Sequence, residues 1–123
     1  MKTIRILIVD DNAVVRDSLR SILTPHADFK IVGEAVEGLD AIDKASELKA
    51  DVILMDAQMP GTDGVEATRR IKERFPQIKV LLLTVHNSYI EEAIAAGADG
   101  YLMKDCGREE LFRAIREIGQ SLS

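Results

Sequence analysis

The sequence predicts an α/β fold, a three-layer sandwich in which a doubly wound parallel sheet of five strands lies between helices. Two observations support this prediction. Five short apolar segments alternate along the chain with five segments whose apolar residues recur at helical spacing. The 123 residues are 46% hydrophobic but only 4% aromatic, which suits one domain with an aliphatic core. Strands that alternate with helices are joined by crossovers and therefore run parallel.

The first half of the chain supplies two strands and two helices. Ile4–Val9 is apolar and β-branched, as expected of a strand buried on both faces. Helix 1 is predicted over Ala13–Leu23, with Asn12 or Asp11 as its N-cap. Strand 2, Phe29–Ala35, is less apolar, which suits an edge position. Helix 2 follows, and its apolar positions are Leu39, Ile42, Ala45 and Leu48.

The second half continues the same alternation. Strands 3, 4 and 5 are predicted over Asp51–Met55, Ile78–Leu83 and Gly100–Met103. Helix 4 is short, begins with a capping box at Ser88 and is closed by Gly97. The inner face of helix 3 is formed by Val65, Thr68, Ile71 and Phe75, and that of helix 5 by Leu111, Ala114, Ile115 and Ile118.

Charge and composition exclude several classes of protein. The net charge of -5 gives no electrostatic footprint for nucleic acid, so we do not expect this domain itself to bind DNA. No apolar run is long enough to span a membrane, and the single Cys106 cannot form an internal disulfide. We therefore expect a cytoplasmic protein without membrane contact. One domain is predicted over residues 1–119, and residues 120–123 are predicted to be a terminus or the start of a linker.

Asp56 stands where strand 3 gives way to a turn. An apolar run leads to this acid, and the segment Pro60–Gly64 that follows contains residues typical of turns. Asp63 and Glu66 then form a capping box for helix 3. Open α/β sheets bind their ligands at the carboxyl ends of the strands, which is where Asp56 is predicted to lie.

Four other polar residues are predicted to reach the same edge of the sheet. Asp10 and Asp11 follow strand 1, Thr84 follows strand 4 and Lys104 follows strand 5. With the strand order 2-1-3-4-5 of flavodoxin-like folds, strands 1 and 3 flank the crevice where the order reverses. The three carboxylates would then face one another. Alternatively, Asp10 and Asp11 serve only to cap helix 1.

This set of side chains suits the attack of an acid on phosphorus with the help of a metal. Crowded carboxylates repel one another unless a cation holds them ionised, and Mg²⁺ prefers oxygen ligands. Asp10, Asp11 and Asp56 therefore predict a magnesium site. Asp56 would be the nucleophile, Lys104 would supply positive charge and Thr84 would donate a hydrogen bond.

Over essentially its whole length, the chain resembles the receiver domains of response regulators in two-component signalling. The resemblance identifies Asp56 as the phosphoacceptor, Asp10 and Asp11 as the acidic pair, Thr84 as the switch hydroxyl and Lys104 as the lysine typical of the family. It implies a phosphorylation-dependent switch that receives its phosphoryl group from a sensor histidine kinase. Such a domain is a phosphoacceptor that assists its own phosphorylation and dephosphorylation, and is not an enzyme.

The resemblance also implies two further roles and a subfamily. The main-chain carbonyl of Gln58 would complete the magnesium site, and Tyr101 would be the aromatic switch residue. The stretches D-A-Q-M-P-G-T-D-G and A-G-A-D-G-Y-L-M-K-D are most similar to receivers of transcription regulators of the nitrate-response and quorum-sensing type. In that subfamily a homodimer is a candidate active form, and DNA is normally bound through a C-terminal helix-turn-helix domain. This chain stops before such a domain, and we expect either an isolated domain or a stand-alone regulator.

Two features depart from the pattern of the family. Asp105 follows the lysine, where many receivers have a proline. The segment from Thr84 to Lys104 is also shorter than usual, which bears on helix 4 and on the output surface that it forms.

Two alternatives to the phosphorylation switch are open at this point. A phosphorylation-independent interaction module could keep this fold, although such modules usually lose an acid or the lysine. A phosphatase of the haloacid dehalogenase type would also use a strand-end aspartate, but it needs a second acid at the position that Gln58 occupies here.

Overall fold

The computed structural model describes residues 3–59, 63–85 and 90–120, and it shows five strands that alternate with five helices. The strands are β1 (Ile4–Val9), β2 (Phe29–Ala35), β3 (Val52–Asp56), β4 (Lys79–Thr84) and β5 (Gly100–Met103). The helices are α1 (Ala13–Leu23), α2 (Gly38–Glu47), α3 (Gly64–Arg74), α4 (Ile90–Ala96) and α5 (Arg108–Gln120). All neighbouring strands pair in parallel, in the order β2-β1-β3-β4-β5, so the predicted fold class and strand order are confirmed.

The sheet separates two hydrophobic cores. Leu7 and Val9 of β1 pack into the core shared with α2, α3 and α4, whereas Ile6 and Ile8 pack into the core shared with α1 and α5. All four side chains are almost completely buried, as the run of β-branched and apolar residues predicts. This burial on both faces makes β1 a rigid support for the residues that follow it.

Side chains that accept backbone hydrogen bonds set the beginnings of three helices. The Asn12 side chain accepts hydrogen bonds from the first turn of α1, and Glu37 does the same for α2. Asp63 Oδ1 accepts a hydrogen bond from the Glu66 N–H at 2.8 Å, which caps α3. These contacts satisfy N–H groups that have no partner inside the helix. The predicted caps at Asn12 and Asp63 are therefore observed.

Two strands lie one residue later in the chain than predicted: β3 is Val52–Asp56 instead of Asp51–Met55, and β4 is Lys79–Thr84 instead of Ile78–Leu83. β3 ends at Asp56 and not at Met55, because the Ala57 N–H donates to the Leu83 carbonyl at 2.9 Å and so carries the ladder past Asp56. β4 begins at Lys79 because the Ile78 N–H is engaged in a turn with the Phe75 carbonyl. Asp56 is thus the last residue of its strand.

One prediction about a helix needs correction. Leu39 was predicted to lie on the apolar face of α2, but it is 50% exposed, because it lies in the first turn and Gly38, Ala41, Ile42 and Ala45 form the buried face. α5 continues to Gln120. Gly119 is buried there, close to the Ile4 side chain. The domain range of residues 1–119 stays a prediction.

Some predicted features fall outside the described residues. These are Pro60 and Gly61 of the turn after β3 and Ser88 of the capping box before α4. Among the helices that the structure describes, none is long and apolar enough to cross a membrane.

Candidate functional site

Three carboxylates meet at the carboxyl edge of the sheet. Asp10 follows β1 and Asp56 ends β3, and these neighbouring strands are in register at Val9 and Met55, so the next residue of each strand lies beside the other. Carboxylate oxygens of Asp10, Asp11 and Asp56 all lie within 4.8 Å of one another. Asp10 and Asp56 are only 3% and 5% exposed, while Asp11 is exposed. The structure therefore brings together the acids that the sequence predicted to meet.

Lys104 links the two buried acids. Its Nζ lies 3.0 Å from Asp10 Oδ2 and 3.2 Å from Asp56 Oδ1. The Lys104 main-chain N–H donates to the Thr84 carbonyl at 2.7 Å, which fixes the start of its side chain at the end of β5. One cation is thus shared between two carboxylates on neighbouring strands.

The electrostatics of the cluster favour an additional cation. Burial, together with the charge of Asp10, raises the pKa of Asp56, although hydrogen bonds from the Gln58 N–H and from Lys104 oppose this shift. Burial alone would lower the pKa of Lys104, but its hydrogen bond with Asp10 and the charge of Asp56 outweigh burial and raise it. Lys104 therefore stays protonated, and its single positive charge leaves the three carboxylates undercompensated.

The donor set fits a hard divalent cation. The cluster offers carboxylate oxygens, and no histidine or cysteine belongs to it among the residues that the structure describes. Magnesium takes oxygen ligands and uses few carboxylates, keeping its other positions for water and phosphate oxygens. An arrangement with one exposed and two buried acids leaves such positions open on the exposed side.

The other predicted site residues lie on or just after β3, β4 and β5. Thr84 ends β4 and is 1% exposed, and it lies one residue beyond Leu83, the register partner of Asp56. The exposed Gln58 donates its N–H to Asp56 Oδ1 at 3.1 Å, while its carbonyl as a metal ligand stays a prediction. Tyr101 is half-buried on β5, and its hydroxyl lies 3.4 Å from the Met103 sulfur.

Two residues of the site were missed from the sequence. A Cβ atom on Gly64 would overlap the carbonyl oxygen of Asp56 and come within 2.8 Å of Ala57 Cα, so only glycine fits there. Arg16 donates from Nη1 to the Asp10 carbonyl at 2.7 Å. The signals available in the sequence were a glycine in the first turn of α3 and the acidic Glu34 in β2, which is the ion-pair partner of Arg16.

Comparisons with known proteins identify the family. The family model described as the response regulator receiver domain matches residues 6–116. The response regulator protein VraR of Staphylococcus aureus is 43% identical over 123 residues, which cover 98% of this chain and 59% of VraR. The chain therefore spans about three-fifths of the length of this curated relative.

Solved structures agree with the family model. The signal receiver domain of the response regulator NarL from Mycobacterium tuberculosis has a TM-score of 0.92 at 28% identity, covering 98% of each chain. A DNA-binding response regulator of the LuxR family from Staphylococcus aureus has a TM-score of 0.87 at 29% identity, covering 94% of this chain and 98% of that one. The chain belongs to the receiver domain family of two-component response regulators, in which phosphorylation-dependent switching is the general function.

Proposed function

We propose that this domain accepts one phosphoryl group on Asp56 from a sensor histidine kinase, with Mg²⁺ bound by Asp10, Asp11, Asp56 and the Gln58 carbonyl. The observation that carries the proposal is the cluster of three carboxylates within 4.8 Å, two of them joined through Lys104. Receiver domains bind Mg²⁺ at an acidic pocket of this kind. A bound Mg²⁺ would neutralise carboxylate charge and orient phosphoryl oxygens.

The residues of the site suit phosphoryl transfer to a carboxylate. An Asp56 oxygen forms a bond to phosphorus while the bond from phosphorus to the histidine nitrogen breaks, and the nitrogen keeps the electron pair and takes a proton from solvent. Asp56 must be ionised to attack, and Lys104 at 3.2 Å favours the ionised form. The hydrogen bond from the Gln58 N–H holds the same oxygen in place.

The product changes the charge balance of the site. An aspartyl phosphate adds negative charge and strong acceptor oxygens beside Lys104 and Thr84. Lys104 is then drawn from Asp10 towards the phosphoryl group, and the Thr84 hydroxyl donates to one of its oxygens. The same arrangement assists water in removing the phosphoryl group, so the domain promotes its own phosphorylation and dephosphorylation without turning over a separate substrate.

The output that we propose is control of transcription. The related LuxR-family protein from Staphylococcus aureus is a DNA-binding response regulator, and VraR is longer than this chain. Residues 1–119 would form the receiver, and the segment after it would lead to a DNA-binding domain. Phosphorylation would then act by changing the surface through which the receiver meets a partner or a second copy of itself.

Intact-mass spectrometry after treatment with phosphoramidate and Mg²⁺ tests the proposal. We expect one added phosphoryl group on the wild-type domain, none on Asp56→Asn, and none on the wild type when EDTA replaces Mg²⁺. Asp63→Asn is the matched control, because Asp63 is an exposed acid near the same edge of the sheet that only caps α3. This variant should gain a phosphoryl group like the wild type.

Other results would contradict the proposal. A wild-type domain that gains no phosphoryl group, either from phosphoramidate or from a phosphorylated histidine kinase domain, would support the interaction module. An equal gain in Asp56→Asn would remove Asp56 as the acceptor. Steady turnover of phosphomonoesters would support a phosphatase.

A further inference from the structure

The guanidinium of Arg16 connects α1 to both β2 and the acidic pair. Its Nε lies 2.8 Å from Glu34 Oε1, and its Nη1 donates to the Asp10 main-chain carbonyl at 2.7 Å. The side chain is only 16% exposed, so both contacts are shielded from water. Arginine suits this place because its planar fork can donate to two acceptors at once in a fixed geometry.

The carbonyl that Arg16 contacts belongs to the peptide group joining Asp10 to Asp11. Asp10 itself is held at three further points: its N–H donates to Ala35, its Oδ1 accepts from the Asn12 N–H at 2.9 Å, and its Oδ2 accepts from Lys104. Within the described part of the chain, no hydrogen bond or ion pair reaches the Asp11 carboxylate. The orientation of the Asp11 side chain therefore depends on its backbone. Arg16 fixes the plane of the peptide group that joins Asp10 to Asp11.

Glu34 holds the guanidinium of Arg16 in place before any metal arrives. Its carboxylate accepts from both Arg16 and Arg20, and its main-chain carbonyl accepts from Lys44 Nζ at 2.6 Å. Glu34 lies on β2, in register with Ile8 of β1. The support for Arg16 is thus tied to the sheet itself, whereas Arg20 shares the same anchor without contacting the acidic pair.

We propose that Arg16 is a positioning residue for the magnesium site: by holding the Asp10 carbonyl, it orients the Asp11 carboxylate towards the carboxylates of Asp10 and Asp56. The inference rests on the proposed function, because it concerns the same metal site. Groups that orient metal ligands without touching the metal typically contribute about 10- to 100-fold to metal affinity. Removing Arg16 should therefore weaken Mg²⁺ binding without removing any ligand.

Isothermal titration of the folded domain with Mg²⁺ tests this role against a matched pair of variants. We expect Arg16→Gln to bind Mg²⁺ about 10-fold more weakly than the wild type, at the lower end of the range for orienting groups. Arg20→Gln should bind like the wild type, since it loses a Glu34 ion pair but no contact with Asp10. The Mg²⁺ affinity of Arg16→Lys should lie between those of Arg16→Gln and Arg20→Gln, because a lysine can reach one acceptor but lacks the two-pronged geometry of arginine.

Two further measurements separate positioning from general stability. In the phosphoramidate reaction, Arg16→Gln should need more Mg²⁺ to reach half-maximal rate, while the rate at saturating Mg²⁺ stays near that of the wild type. Glu34→Gln keeps Arg16 but weakens its anchor, because an amide oxygen accepts a hydrogen bond without carrying charge, so the Mg²⁺ affinity of this variant should fall by less than that of Arg16→Gln. This variant tests the idea even if Arg16→Gln folds poorly.

Equal Mg²⁺ affinity in Arg16→Gln, Glu34→Gln and the wild type would overturn the positioning role. An equal loss in Arg16→Gln and Arg20→Gln would also overturn it, because the effect would then come from the ion pairs with Glu34 alone. A wild-type domain without measurable Mg²⁺ affinity would instead overturn the proposed metal site itself. The Mg²⁺ titration of the wild type therefore tests the proposed metal site, and the titrations of the variants test the role of Arg16.

Discussion

Gly64 shows how closely α3 approaches β3, the strand that ends in Asp56. Its N–H donates to the Ala57 carbonyl at 3.1 Å, and any Cβ atom at this position would collide with the Asp56 carbonyl oxygen. The obstacle is backbone, which cannot move aside as a flexible side chain can. The start of α3 is therefore placed directly against the backbone of Asp56 and Ala57.

We predict that Gly64→Ala destabilises the domain by about 3 kcal/mol, the upper part of the range for overpacking a rigid site. Urea denaturation measures the loss. Gly107→Ala is the control, since a Cβ there meets nothing within 4 Å, and its cost as a helix-capping position should be about 1 kcal/mol or less. Equal stability of the two variants would show that the backbone at Asp56 can move away from α3.

The sequence could predict which carboxylates meet, but not what holds them. Asp10 and Asp56 follow apolar strands, and all parallel strands end at one edge, so their proximity depends only on the fold class. The contacts of Arg16 and Gly64 are different, because each brings a helix residue against a main-chain carbonyl at or just after the end of the preceding strand. Whether such contacts form depends on differences in distance of a few tenths of an ångström. The periodicity and composition of a sequence do not determine these differences.

At the scale of elements, Arg116 ties α5 to the loop between α1 and β2. Its guanidinium donates to both oxygens of Asp28, at 2.8 and 3.1 Å, and contacts the Nδ1 of His26 at 3.1 Å. It also lies 4.8 Å from the centre of the Phe29 ring. This cluster of His26, Asp28, Phe29 and Arg116 joins α5 to the amino end of β2.

We predict that Arg116→Gln lowers stability by about 1 kcal/mol near neutral pH, as expected for a two-pronged but partly exposed ion pair. The hydrogen bond from Arg116 lowers the pKa of Asp28, against the opposing effect of burial. A group whose pKa is lower in the folded than in the unfolded protein stabilises the fold at pH values above its unfolded-state pKa. This stability is lost as pH falls through the folded-state pKa. The difference between wild type and variant should therefore shrink below about pH 4.

Urea denaturation at several pH values measures this difference. Arg113→Gln is the control, because Arg113 is an exposed arginine on the same helix. It should change stability little at any pH. A difference between Arg116→Gln and wild type that stays constant down to pH 2 would show that the pair with Asp28 does not carry the effect.

α4 is the element that we expect to be held most weakly. It has seven residues, and only Ala93 and Ala96 are buried, so it covers little apolar area. A helix of this length is not stable without packing. We predict weak amide protection over residues 93–97 in hydrogen exchange, and the largest change there after phosphorylation of Asp56. Asp56→Asn should show no change, and high protection in both states would exclude α4 as the moving element.

Element boundaries were predicted less well than element types. The apolar runs locate β3 and β4, but whether Asp56 belongs to β3 depends on the hydrogen bond between Ala57 and Leu83 in the neighbouring strand. Likewise, the exposed Leu39 satisfies the helical spacing of α2 without lying over the sheet. Spacing identifies a face, whereas tertiary packing decides which turns of the helix are covered.

At the scale of the whole molecule, the site lies between two surfaces that could carry its output. Val85, directly after β4, and Ile90 and Ile94 of α4 are exposed apolar residues. On the other side, Val14 is exposed at the start of α1, beside a groove of about 380 Å³ between α1 and α5. Thr84 ends β4 and Val85 follows it directly, so a movement of Thr84 would act on the first residue of the first surface.

We therefore predict that phosphorylation promotes self-association through the surface formed by Val85, Ile90 and Ile94. Ile94→Ser should weaken association of the phosphorylated domain about 10-fold or more, as loss of an apolar anchor at an interface does. Val14→Ser is the matched control, because Val14 and Ile94 are 73% and 71% exposed and neither change should disturb the fold. Sedimentation velocity with phosphoramidate and Mg²⁺ gives the association constants. The reverse pattern, with Val14→Ser alone blocking association, would move the interface to α1 and α5.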